Sequence, residues 1–140
     1  MRALIQEMVE QYDQPTIVDM EAGLEHLSRG TIRYVDCILI IIEPYFKSME
    51  TGAQLNRLAK ELEIKHVYCI ANKVRGTEVE RALETFCAER EMNLLSMIPN
   101  DDTLITADRA NQAPLDYDAN GIAVMAISEL SNKLMNLEVI

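Results

Sequence analysis

The chain has 140 residues, 49% of them apolar, and carries a net charge of −10. A chain of that length buries roughly two thirds of its unfolded surface, so its core needs no disulfide or metal staple. Its Lys and Arg never gather beyond a pair, which argues against a nucleic-acid face, and no apolar run approaches the roughly 18 residues of a membrane span.

Ile5, Met8, Val9 and Tyr12 recur at helical spacing and predict an opening helix that stops before Pro15. Met1-Arg2-Ala3 leads straight into that pattern, without the form of a signal peptide. Thr16-Ile17-Val18 reads as a short strand ending at Asp19. Cys37 to Ile42 (CILIII) is unbroken apolar sequence, as expected of a strand covered on both faces of a parallel sheet. Ser48 is placed to cap a helix whose inner face is Leu55, Leu58, Ala59 and Leu62. Val67 to Ala71 is the next strand. Thr77 and Glu80 have capping-box spacing before a stripe of Val79, Ala82, Leu83, Phe86 and Cys87. Leu94 to Ile98 is a strand closed by Pro99. Residues 100 to 120 read as loop with about one helical turn. A last helix from about Gly121 is expected to bury Ile127, Leu130 and Leu134.

Strands alternating with helices of about 10 to 15 residues give an α/β fold, a parallel sheet of about four strands with helices on both faces. No repeat or linker interrupts residues 1–140, which read as one domain. Cys37, Cys69 and Cys87 lie far apart with no C-x-C or C-x-x-C pair, as reduced core cysteines do, and the expected compartment is the cytoplasm. His26 and His66 form no ligand spacing, so no nickel or zinc site within one chain is expected.

Ligands of open parallel sheets bind outside the carboxyl ends of the strands. Four polar sets fall there: Asp19, Glu21 and Gly23; Glu43 and Pro44; Asn72 and Lys73; and Pro99, Asn100, Asp101 and Asp102. A carboxylate at Asp19 can hold a Mg²⁺-bound water, and a Gly at 23 lets a backbone N–H approach a phosphate. Asp19 serves equally as a turn or cap residue. Asn72 can offer an amide to a purine edge and Lys73 an aliphatic stem to its face, or the two can form a plain surface turn.

The run Asp19-Met-Glu-Ala-Gly-Leu-Glu-His-Leu-Ser-Arg-Gly-Thr31, with Val35-Asp36, CILIIIEP, Ala71-Asn72-Lys73-Val74 and Ile98-Pro99-Asn100-Asp101, resembles the carbon monoxide dehydrogenase maturation ATPases of the CooC family. These are relatives of MinD, ParA and the nitrogenase iron protein, P-loop NTPases of the SIMIBI type. The resemblance implies ATP and Mg²⁺ held at a dimer interface, with closure serving nickel insertion into carbon monoxide dehydrogenase. It implies Asp19 near Mg²⁺ through water, Gly23 as γ-phosphate sensor, and Asn72, Lys73, Pro99, Asn100 and Asp101 framing adenine. Glu21, Glu25, His26, Arg29 and Gly30 would belong to the switch segment.

The departures from the family are as specific. Gly23, Gly30, Gly52, Gly76 and Gly121 fit no G-x-x-x-x-G-K-[ST] or G-x-G-x-x-G spacing, so the loop that cradles phosphates is missing from this sequence. The family's Cys-x-Cys pair is missing too. The expected identity is the carboxyl-terminal portion of such an ATPase, a partial nucleotide-binding domain inactive alone, with Asp19 binding Mg²⁺ only if the loop is supplied. Its expected partners are a second copy or an intact homologue, and the dehydrogenase, with no nucleic acid or membrane. The alternatives are a non-catalytic module docking on those partners, or a MinD- or ParA-like positioning ATPase, which the nearly neutral last helix disfavours. Without the family's central strand, Thr16 to Asp19 is expected to close directly onto Cys37 to Ile42.

Overall fold

In the computed structural model, which describes residues 15–20 and 35–137, the apolar run becomes strand β1 (Ile38–Ile42). There follow α1 (Phe46–Glu61), β2 (Val67–Val74), α2 (Thr77–Glu89), β3 (Leu94–Pro99), α3 (Thr103–Arg109), α4 (Pro114–Tyr117) and α5 (Ile122–Met135). The strands are parallel in the order β1-β2-β3. Both crossovers step in the same direction along the sheet, and crossovers of one hand then place their helices on one face. Accordingly Ile40, Ile42, Cys69, Ala71, Leu83, Cys87 and Met92 form one core under α1 and α2. The alternate residues of the strands face the other way, where Ile70 and Ile98 meet Ala123 and Leu130 of α5. Each fully buried Ile contributes about 1.5–3 kcal/mol, so the two-faced burial of so short a sheet supplies much of its stability.

Among the described residues, four non-glycine residues have positive φ: Glu63, Lys73, Glu91 and Asn111. Three share one cause. Each follows a helix end and closes a Schellman motif, in which the last carbonyls accept from the two residues beyond the cap. Thus Glu63 N donates to Lys60 O and Ile64 N to Ala59 O, both at 3.0 Å, and the pairs Glu91/Met92 and Asn111/Gln112 repeat the pattern. Lys73 is the exception, since it lies inside a strand.

Several expectations are corrected. The described residues hold three strands rather than about four, because residues 15–20 form no strand, and β1 pairs only with β2 among them. Ile17 is 91% exposed, so direct closure onto β1 does not occur. Pro15 has no N–H to give a ladder, and so short a segment gains little by pairing alone. Thr77 does not cap α2, because the helix begins at Thr77 itself, and Gly76 takes the cap position with φ 80°. Ser48 lies within α1, its hydroxyl accepting from Glu43 N at 2.9 Å. Leu62 and Ala82 are exposed, and so is Ile127, on a flank of α5 that no described element covers. Residues 100–120 hold two helices, α3 and α4, too short to register as periodic sequence. Cys37 precedes β1 and is only half-buried, whereas Cys69 and Cys87 are buried as expected. The opening helix expected before Pro15 lies outside the described residues.

Candidate functional site

The carboxyl ends of β2 and β3 finish side by side. Val74 is in register with Pro99, and Asn100 N donates to Val74 O at 2.9 Å. This brings Asn72 and Lys73 next to Pro99, Asn100 and Asp101, so five residues singled out in the sequence share one edge. β1 adds Glu43, which follows Ile42, the register partner of Ala71.

The ladder between β2 and β3 slips between Ala71 and Val74, and Lys73 sits in that slip at φ 57°. A left-handed Lys inside a strand is uncommon and costs conformational energy, which makes this turn a candidate for function. Asn72 stabilises it, its Oδ1 accepting from Lys73 N at 3.0 Å. Asn72 Nδ2 has no partner among the described residues. The Lys73 ammonium donates to Glu43 Oε1 at 2.8 Å, and that hydrogen bond holds its pKa above the ordinary lysine value. Outside this pair, Asp102 Oδ1 accepts from Arg75 at 3.0 Å and from Asn100 Nδ2 at 3.1 Å.

Asp101 has a different character from its neighbours. Its Oδ1 accepts from Thr103 Oγ1 at 2.6 Å and Thr103 N at 2.9 Å, and its Oδ2 from Ala123 N at 3.2 Å. One carboxylate therefore ties the β3–α3 turn to the first turn of α5, satisfying amides that a helix start leaves open. Gly121 leaves it room: a Cβ there would stand 3.1 Å from Asp101 Oδ2. These bonds, the Thr103 hydroxyl foremost, hold the Asp101 pKa below the ordinary carboxylate value. A depressed carboxylate stabilises above its unfolded pKa, and the contribution is lost as pH falls through the folded value. The Tm gap between wild type and Asp101→Asn should therefore be constant above about pH 5 and close below about pH 4. A gap unchanged down to about pH 2 would show that the charge is not what holds the joint.

Asp19 is exposed within residues 15–20. Glu21, Gly23, Glu25, His26, Arg29 and Gly30 lie outside the described residues. Two features escaped sequence reasoning. The Glu43–Lys73 pair depends on strand register, which a single sequence does not show. The Asp101 joint did leave a signal, since Asp-x-Thr before a helix is a capping pattern. Contact with Cys87 and burial both push the Cys69 thiol up, which keeps it protonated. Among the described residues no three His, Cys, Asp or Glu gather to hold a metal. Nor, among them, is any helix long and apolar enough to cross a membrane.

No family model matches the sequence. It is 33% identical over 138 residues to the uncharacterized ATP-binding protein MJ0823 of Methanocaldococcus jannaschii, covering 99% of this chain and 52% of that protein. It is 37% identical over 120 residues to the carbon monoxide dehydrogenase accessory protein CooC of Rhodospirillum rubrum, covering 82% of this chain and 43% of CooC. The chain is homologous to CooC and to the MJ0823-type ATP-binding proteins. It spans about half the length of these curated relatives. Among solved structures, a ParA family ATPase from Chlorobium tepidum superposes with TM-score 0.77 at 22% identity, covering 94% of this chain and 54% of that one. MinD complexed with Mg-ADP from Pyrococcus horikoshii gives 0.76 at 16%, covering 97% and 56%. At such identities these two establish the fold alone: a parallel sheet with helices, of the MinD and ParA P-loop NTPase kind.

Proposed function

We propose that the chain supplies the base-binding edge of an ATP site of the CooC type and hydrolyses nothing by itself. One observation carries this reading: Asn72-Lys73, in a left-handed turn, adjoins Pro99-Asn100 at the ends of neighbouring strands. An amide whose N–H₂ meets no described residue and a lysine stem are what a purine's edge and face require. Asp101, engaged on both oxygens, would shape this loop from behind rather than touch the base.

The residues at this edge fit a nucleoside and not a triphosphate. The sequence has no glycine-rich phosphate loop, and the carboxylates there would repel phosphates. The Mg²⁺ that the family likeness associates with Asp19 gains no support from a single exposed carboxylate. Gly23 and the switch residues remain assigned by resemblance only. Phosphates and their metal would have to be met by residues outside these 140.

Adenosine is therefore expected to bind about as tightly as ATP. Calorimetry showing ATP tenfold tighter, a gap of about 1.4 kcal/mol, would refute base-led binding. ATP turnover no higher than that of Asp19→Ala is the accompanying expectation, since electrostatic stabilisation of the transferring phosphoryl is what the absent loop supplies. The wider role proposed, service to nickel insertion in a carbon monoxide dehydrogenase, rests on the CooC likeness. Its test is the nickel content of that enzyme in cells lacking the chain.

A second reading, a docking module without catalysis, is favoured by β1. Its outer edge has no strand partner among the described residues, and Ile41, its fourth residue, is 55% exposed. Such an edge invites a further strand.

A further inference from the structure

Lys73 is useful to a base only if its stem is held flat, and a lysine on a surface turn samples many rotamers. Three elements together limit that freedom. The backbone of Lys73 is fixed in the left-handed region by the register slip, with Asn72 Oδ1 accepting its N–H. Its ammonium is tied at 2.8 Å to Glu43 on the neighbouring strand end. Glu43 is itself pinned at both backbone groups, its N–H donating to Ser48 Oγ and its C=O accepting from Tyr45 N. The stem is thus a bridge anchored at both ends, one on β2 and one on the β1–α1 turn.

We propose that Glu43 is a positioning residue for nucleoside binding, holding the Lys73 ammonium so that its methylene stem forms a preset platform for the base. This rests on the base-binding reading above and names a residue that the reading does not use. Glu43 touches no ligand in this scheme. Its effect is to remove the entropy that Lys73 would otherwise lose on binding.

The test is the adenosine dissociation constant of the full chain by calorimetry for wild type, Glu43→Gln, Lys73→Met and the double variant. Lys73→Met keeps a stem and loses the ammonium, so it uncouples the two residues without removing the platform. Glu43→Gln is expected to weaken adenosine at least about threefold in the wild-type background, and to have no effect on top of Lys73→Met, the signature of direct coupling. The pair is exposed and so is screened by salt. In about 1 M NaCl the wild-type affinity should fall to that of Glu43→Gln, which a merely structural role of Glu43 would not produce. An equal effect of Glu43→Gln in both backgrounds would overturn the proposal, as would tighter binding, which would mean that the pair occludes the site. If wild type binds no adenosine, the base-binding reading itself fails. If it binds and Glu43→Gln matches it, only the positioning role is lost.

Discussion

Gly52→Ala is expected to destabilise the protein by about 1–3 kcal/mol, even though the same change in an open helix gains about 1 kcal/mol. Gly52 lies in the middle of α1 and is buried. A Cβ built there runs into Ile42 Cγ2 at a separation no real contact shows, with Ile40 Cγ2 at 3.5 Å and Met92 Cε at 3.6 Å behind it. Ile42 is 0% exposed and has nowhere to move. Either α1 lifts from the sheet or Ile42 leaves its rotamer, and overpacking of this kind usually outweighs helix propensity. The urea midpoint should fall with an unchanged slope. Placed on Ile42→Ala, which removes the offending methyl, the same substitution should cost much less, a coupling expected of residues in contact. A neutral or stabilising Gly52→Ala in the wild-type background would show that α1 is not seated on β1 as described. The consequence reaches the site, because α1 carries Ser48, which holds Glu43 at the end of β1.

This contact also shows where sequence reasoning stops. The apolar run at Cys37–Ile42 and the periodic stripe ending at Cys87 located β1 and α2, because each carries a strong one-dimensional signal. The polar residues after those strands located one edge, because parallel topology puts all strand ends together. Gly52 carried no such signal: in a helical pattern it looks like a weak position, and only the distance between helix and strand explains it. Lys73 likewise reads as ordinary in sequence. Its left-handed backbone arises from a slip between two ladders, a property of strand pairing rather than of the residue. The misplaced start of α2 has a local cause, since Gly76 and Thr77 both suit a helix start and the glycine took the outer position. Thr16–Val18 has strand composition, yet pairing depends on what lies beside it, and composition is silent on that.

Asn56→Asp is expected to be the most damaging conservative change in the chain, and its cost should depend on pH. Asn56 is the only buried polar side chain among the described residues, 4% exposed on the inner face of α1. Its Nδ2 faces Arg90 O at 3.5 Å and Glu91 O at 3.4 Å, so it answers carbonyls that the end of α2 leaves open. A carboxylate has no proton to give and would face two oxygens out of reach of water. An uncompensated buried charge of this kind costs about 3–5 kcal/mol. The side chains of Arg90 and Lys60 are already committed, Arg90 to Glu50 at 2.8 Å and to the Phe86 ring, and Lys60 to Glu91 at 3.0 Å. The new acid therefore escapes by keeping its proton, and its O–H can then donate to one of the two carbonyls. Its folded pKa is raised above the ordinary aspartate value of about 3.9. With the sign that follows, the deficit relative to wild type is smallest below about pH 4 and grows as pH rises toward the folded pKa, then levels. Asn56→Ala, which loses the donor without adding charge, should cost about 1–3 kcal/mol. That cost should show no such slope. Thermal unfolding of both variants across this range decides the matter: parallel curves would mean that water reaches position 56 and that the tie between α1 and the end of α2 is looser than its burial implies.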